Sequence, residues 1–453
     1  MFYRKVILSL RAWAENPHRK PLILRGARQV GKTTIVKEFA KEFDTFLHLN
    51  LEKRPEKAVF EANDSPEDVL TAIYLLKNKE RKQGRTLLFI DEIQTSPKAV
   101  SLLRYFFEDM PELFVIAAGS LLETLIDAHI SFPVGRVEYL ALRPCSFSEF
   151  LGAIGEEQIK EKLLSHDLPC AIHSRTMKLF NEYVLVGGMP AVVALYAETR
   201  DIVALRKVYD AILNGYRDDI EKYASNKTEK NVLRHILKNG WRYAGQRIKF
   251  EGFAEGNYKS REVGEAFRTL EKAMVLELAY PTTSTDLPLY PDLKKSPKLL
   301  WLDTGIVNYV VKNQLELFGT QDISDHWKGK IAEHIVGQEF LASKESVSEQ
   351  RNFWVRNAKN SQAEIDFVIQ TDTYLFPVEV KSGHNSKIKS MHLFMEESKC
   401  DLAIRFWNNT FTKDVIELPS GKKYILFNIP FYYAEITGQI IYNQINKQCY
   451  IES

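Results

Sequence analysis

Cysteine is scarce in this 453-residue chain: Cys145, Cys170, Cys400 and Cys449 are its four, and they stand far apart. Their scatter suits a reducing compartment better than a disulfide framework, and all four are expected to be structural. Long apolar runs are missing as well. The most apolar later stretch, LFVIAAGSLLETLI, breaks at Gly119, Ser120 and Glu123, well short of the ~20 residues that span a bilayer. The N-terminal MFYRKVILSLRAWAENPHRK carries charges every few positions, so no secretory leader is expected. Nor does one sign of charge dominate: 61 Lys and Arg stand against 59 Asp and Glu, a net +2. Bulk charge therefore gives no reason to expect nucleic acid or a membrane, and any basic surface must be local. What remains is a cytoplasmic chain of 45% hydrophobic and 26% charged residues, too apolar for disorder and long enough for roughly two to four domains.

The strongest motif lies in PLILRGARQVGKTTIVKEFA, residues 21–40, where an apolar run leads through a Gly-bounded loop into apolar residues at helical spacing. The loop fits G-x-x-x-x-G-K-[ST] between a strand and a helix, the setting in which backbone N–H groups cradle phosphates. Gly26, Ala27, Arg28, Gln29, Val30, Gly31, Lys32, Thr33 and Thr34 are therefore the expected ATP contacts, with Lys32 on the outer phosphates and the Thr33 hydroxyl on Mg²⁺. Some sixty residues on, TLLFIDEIQ ends an apolar strand in Asp91 and Glu92; Asp91 suits the hold on Mg²⁺ and Glu92 the activation of water. The next strand, LFVIAAGS, ends in Ser120, which reads either as a γ-phosphate sensor or as a routine turn residue. With FLHLNLE and VEYLALR the region offers five strands separated by helices, a doubly wound α/β pattern.

GARQVGKTT, LLFIDE, AAGS and VGRVEYLALRPCSFSEF together resemble the AAA+ ATPases, in particular a prokaryotic branch whose ATPase domain is followed by a winged helix and a nuclease-like domain. The resemblance runs over nearly the whole chain and implies ATP and Mg²⁺ as cofactors. In that family an Arg just before the last core strand often completes a neighbour's site, which implies Arg136 as a catalytic finger and a homo-oligomer; Arg104 and Arg143 stay open as alternatives.

From about residue 151 the pattern turns helical. YVLVGGMPAVVALY reads as a helix end followed by a helix start, and it resembles the Gly-x-Pro turn of related signalling ATPases, which implies Pro190 as a base contact. Arg217, Asp218 and Asp219 read as a surface salt-bridge cluster. Residues 221–270 hold eleven Lys or Arg against six Asp or Glu. There NVLRHILKNG and SREVGEAFRTLEKAMV read as helices, the second capped by Ser260, and VLELAY and LLWLD as strands of a wing. A winged helix would bring Lys259, Arg261 and Arg268 to DNA phosphates; the other reading is a solvated face packed on the lid.

In the C-terminal part a helix from about Gly329 carries Glu333, and AEIDFVIQTDTYLFPVEVKSG reads as a hairpin. A turn at TDTY pairs positions that sum to 745, such as 369 with 376, and so sets Asp366 opposite Glu379 with Lys381 on the same face. Facing carboxylates repel and call for a cation. Mg²⁺ or Mn²⁺ on Asp366 and Glu379, with Lys381 beside a bound water, is one answer; an internal ion pair of Lys381 is the other. Glu333, Asp366, Glu379 and Lys381 resemble the catalytic set of the restriction-endonuclease-like superfamily, which implies either a nuclease or a fold retained for binding. The expected organisation is a P-loop AAA+ core over 1–165, a helical lid over 166–228, a winged helix over 229–318 and a smaller α/β nuclease-like domain over 319–453. The expected function is a Mg²⁺-dependent ATPase whose nucleotide state controls DNA binding and cleavage, or else a switch with an inert docking domain.

Overall fold

The computed structural model describes residues 2–119, 133, 135–224, 226–312, 325–358, 361–371, 374–382 and 388–449. Five short strands form the first sheet: β1 (Leu22–Arg25), β2 (Thr45–Asn50), β3 (Thr86–Asp91), β4 (Phe114–Gly119) and β5 (Glu138–Ala141). They run in the order β2-β3-β4-β1-β5, all parallel. Their apolar runs follow from burial on both faces: Leu22, Leu24, Leu87 and Phe89 enter one core, while Ile23, Leu88 and Ile90 enter the other. Because β4 lies between β1 and β3, Arg25 falls beside Gly119 and Asp91 beside Ala118. The P-loop and the acidic strand end therefore open on the same edge, where ligands of such sheets collect.

Three helices, His173–Val186, Pro190–Thr199 and Arg206–Tyr223, follow, and the last two lie against the loop after β1. The first two meet at the Gly-Gly turn, with Pro190 as the first residue of its helix, where a missing N–H costs nothing. Two further helices, Lys227–Asn239 and Ser260–Lys272, pack beside a small antiparallel sheet of β6 (Gln246–Arg247), β7 (Leu276–Ala279) and β9 (Lys298–Trp301), ordered β6-β9-β7. The second helix is capped at Lys259, whose N–H donates to Glu262 at 3.0 Å, so Ser260 is its first helical residue and not the cap.

The loop between β7 and β9 contributes β8 (Pro281–Thr282), which pairs with β10 (Asn352–Val355) at the border of a seven-stranded sheet. That sheet continues through β11 (Glu364–Gln370), β12 (Leu375–Val380), β13 (Leu402–Trp407), β14 (Thr412–Glu417) and β15 (Lys423–Pro430), ordered β14-β15-β13-β12-β11-β10-β8. The helix Asp325–Ala342 begins four residues before the expected Gly329 and packs against β12 and β9.

The C-terminal part folds back onto the first sheet. The Ala141 N–H donates to the Glu345 carbonyl at 2.8 Å, and Lys5 pairs with Glu435. Buried Glu339 accepts from the Phe147 N–H at 3.1 Å and the Tyr183 hydroxyl at 2.6 Å. Burial, with Glu435 nearby, pushes the Glu339 carboxyl up to about 8. An acid whose folded value is raised stabilises the fold below its unfolded value, about 4.3, and loses that contribution as pH rises through the folded one. Wild type should therefore lose stability relative to Glu339→Gln between pH 5 and pH 8. Urea midpoints measured across that window check this, and parallel pH profiles for the two chains would refute it.

Candidate functional site

Backbone geometry shapes the P-loop first. A Cβ on Gly26 would collide with the Leu142 carbonyl, and Gly31 sits at φ +97°, a region that side chains disfavour. Gln29 also takes a left-handed φ of +66°. The helix Lys32–Phe39 starts immediately after Gly31, so its free N–H groups face the loop. Lys32 folds over that loop, donating to the carbonyls of Gly26 and Ala27 at 2.8 and 2.9 Å. Burial brings the Lys32 ammonium down to about 8.

Thr33 Oγ1 donates to Asp91 Oδ2 at 2.7 Å. Burial works to raise the Asp91 carboxyl, but the His48 ring, its Nε2 3.8 Å from Oδ2, and the Thr33 hydrogen bond outweigh it and hold the group below the usual carboxylate value. The hydroxyl and the carboxylate thus meet at one point, a pair of hard oxygen donors that fits Mg²⁺. Glu92 follows at φ +55°, a strained backbone for a residue with a side chain, and its Oε2 accepts from Gln94 Nε2 at 2.6 Å. Thr34 lies within the first turn of the helix. A Cβ on Gly31 would lie 3.7 Å from Pro190 Cγ, so the structure sets Pro190 beside the loop. Ser120 lies outside the described residues.

Asp219 overturns its reading as a surface charge. It is 1% exposed and pairs with Arg28 of the P-loop. Around that pair the Tyr216 hydroxyl donates to the Arg28 carbonyl at 3.4 Å, and Lys222 pairs with Glu52 at 2.6 Å. A Cβ on Gly215 would stand 2.7 Å from Gln29 Nε2. The three candidate fingers differ in surroundings: Arg104 and Arg136 both pair with exposed-side Glu108, at 3.0 and 3.1 Å, whereas Arg143 donates to the Ser346 carbonyl at 3.0 Å.

In the seven-stranded sheet, β11 and β12 pair Phe367 with Val378 and Ile369 with Phe376, the register expected from the turn. Asp366 Oδ2 accepts from the Val380 N–H at 2.7 Å, and Lys381 pairs with Glu379 at 2.5 Å. Sequence reasoning missed a further cation here. Lys298, 1% exposed, enters from β9, pairs with Glu333 and, at 2.9 Å, with Glu364, and lies over the Phe353 ring at 4.5 Å. Despite burial, these acids draw the Lys298 ammonium above its ordinary value. Glu333 and Glu379 are pushed up to about 8 by burial, with Asp366 adding repulsion to both. Asp366 is raised by burial as well.

Among the described residues no three His, Cys, Asp or Glu side chains converge as metal ligands. Glu379 Oε2, however, is buried without a hydrogen-bond partner, and with Asp366 it supplies two carboxylates suited to a divalent cation. Lys259, Arg261 and Arg268 are exposed on or beside the helix Ser260–Lys272. Arg261 pairs with Glu265 at 2.8 Å.

Three stretches match family models. Residues 18–151 match AAA_14, an AAA domain; residues 177–317 and 328–420 match DUF8612 and DUF4143, two domains of unknown function. No curated protein matches the chain. Similar solved structures include a Walker-type ATPase of Pyrococcus abyssi, at 13% identity over 69% of this chain and 96% of that one, with a TM-score of 0.43. A signal transduction ATPase with numerous domains and a tetratricopeptide repeat sensor, from Pyrococcus horikoshii, is similar at 14% identity over 76% and 46%, with a TM-score of 0.28. A RuvB from Thermotoga maritima is similar at 18% identity over 64% and 89%, with a TM-score of 0.25. The match of residues 18–151 to the AAA domain model thus covers the glycine loop, the Thr33–Asp91 contact and the five-stranded parallel sheet.

Proposed function

We propose that the chain is a Mg²⁺-dependent ATPase whose nucleotide state is passed through the helix Arg206–Tyr223 to a C-terminal half that binds DNA. The observation that carries this reading is the ion pair between Arg28, inside the phosphate loop, and buried Asp219 of that helix. A triphosphate arriving at the loop offers Arg28 a second anion, so binding and the position of the helix are linked.

In this reading Lys32 holds the outer phosphates, Thr33 and Asp91 hold Mg²⁺, and Pro190 flanks the base. Mg²⁺ bound with the nucleotide neutralises charge on the phosphates. Glu92 takes the proton of the attacking water, with Gln94 fixing its carboxylate. Arg136 acts on a neighbouring copy, which makes the assembly a homo-oligomer. The core, lid, winged-helix and nuclease-like units divide at 165, 228 and 318. The order β6-β9-β7, with two helices beside it, supports the winged helix, and exposed Lys259, Arg261 and Arg268 support a contact with DNA backbone.

A second reading, DNA cleavage at Asp366, Glu379 and Lys381 aided by Glu333, is favoured by the unpartnered Glu379 Oε2. The ion pairs of Lys298 and Lys381 favour an inert docking unit instead.

Glu92→Gln should keep ATP binding and lose turnover by about 10²- to 10⁴-fold; unchanged turnover would remove Glu92 as the base. ATP should shift DNA affinity by roughly 5- to 150-fold, the usual range for coupled sites. In Asp219→Asn that shift should collapse while ATP still binds, as titrations of labelled duplex with and without ATP would show. A shift that persists in Asp219→Asn argues against the relay. Supercoiled and linear DNA incubated with Mg²⁺ or Mn²⁺, with and without ATP, separates the last two readings. Cleavage abolished by Asp366→Ala and Lys381→Ala establishes the nuclease; intact DNA under every condition leaves the docking unit.

A further inference from the structure

A cavity of about 750 Å³ lies where the N-terminal helix Val6–Glu15, the end of β5 and the C-terminal part meet. That volume is within the ~300–1,000 Å³ of small-molecule sites. Most charged groups on its wall are already matched. Arg4 pairs with Glu149 at 3.0 Å, Lys344 with Glu349 at 3.3 Å and Arg351 with Glu277 at 2.9 Å, while Lys5 pairs with Glu435.

Arg143 differs. Its Nη2 donates to the Ser346 carbonyl at 3.0 Å, but its Nε is shielded from solvent and has no acceptor. Among the described residues it has no carboxylate partner. Burial and the neighbouring Arg351 bring its guanidinium down to about 10, as expected of a cation short of an anion. The wall also carries Phe340 and Phe367, and Glu345, which accepts from the Ser9 hydroxyl. One guanidinium without a carboxylate partner among the described residues, two aromatic rings and, besides the paired Glu149, Glu349 and Glu435, the acid Glu345 suit a molecule with a phosphate, a ring and donor groups better than a bare anion.

The wall reaches the ATP site directly. Arg4 Nη2 donates to the Arg143 carbonyl at 2.7 Å, and Arg4 Nη1 donates to the carbonyl of Val30, inside the P-loop, at 3.4 Å. We propose that this cavity is a second, regulatory site for a nucleoside phosphate, gripped by Arg143 and linked to the P-loop by Arg4. The binding claim stands whether or not the first site turns over ATP.

The test uses the full chain with Lys32→Ala, which cripples the P-loop, and fluorescent MANT-ADP as probe. Saturable binding of one probe per chain is expected. Adding Arg143→Ala should weaken it by about tenfold or more, and so should Ser9→Trp, which fills the cavity while leaving Arg143 in place. No saturable binding to the Lys32→Ala chain overturns the proposal. So does binding unchanged by either added substitution in a chain that keeps the parent's melting temperature; if Arg143→Ala does not fold, Ser9→Trp decides.

Discussion

Asp219 is a carboxylate almost wholly removed from water, and such a group is tolerated only where a cation and hydrogen bonds meet it. Its cation is Arg28, in the glycine loop that leads into the helix Lys32–Phe39. That single requirement fixes the helix Arg206–Tyr223 over the loop, and neighbouring contacts adjust to it. Gly215 has no side chain where Gln29 passes, and Lys222 reaches across to Glu52. The helices that follow are then also referenced to the P-loop. Arg25, at the end of β1, donates to the Lys272 carbonyl at 3.3 Å.

The acid cluster obeys the same rule with a different source of charge. Four carboxylates, Glu333, Glu364, Asp366 and Glu379, face two ammonium groups, Lys298 and Lys381. Even with the Arg247 guanidinium 3.9 Å from Glu364, three cations cannot neutralise four acids. Burial accordingly raises Glu333 and Glu379 to about 8, so protons make up part of the difference at neutral pH. Removing Lys298 alone would strand its acids, which is why a lysine from β9 is as much a part of this end of the sheet as the hairpin itself.

The elements read most directly from sequence were those where a local pattern carries its own physics. The five strands of the first sheet, the loop from Gly26 to Thr33 and the hairpin register summing to 745 each follow from apolar runs, glycine spacing or strand parity. Asp219, Lys298 and Arg4 were not legible. Each acts on residues far away in the chain, 191, 35 and 139 positions for the contacts Arg28–Asp219, Lys298–Glu333 and Arg4–Arg143. Nothing within a local window separates such a residue from a surface charge. Asp219 in particular stands beside Arg217 and Asp218, and it took the packed helix to show which of the three points inward. The seam between β8 and β10 escaped for the same reason, since a two-residue strand has no period to detect.

One short segment joins the two charged sites. Lys298 opens β9 in the acid cluster, and Asp303 follows five residues later, fully buried, accepting from the N–H groups of Gly188 at 2.6 Å and Ile306 at 2.9 Å. Gly188 belongs to the turn before Pro190, and Pro190 lies against Gly31 of the P-loop. A Cβ on Gly187 would strike Asp303, so the turn and the strand end are in close contact. Extended backbone spans about 17 Å over five residues, and Trp241 stacks on Trp301 at 3.7 Å to stiffen the strand end. Contacts thus run from the turn at Pro190 through Asp303 to the strand that Lys298 opens.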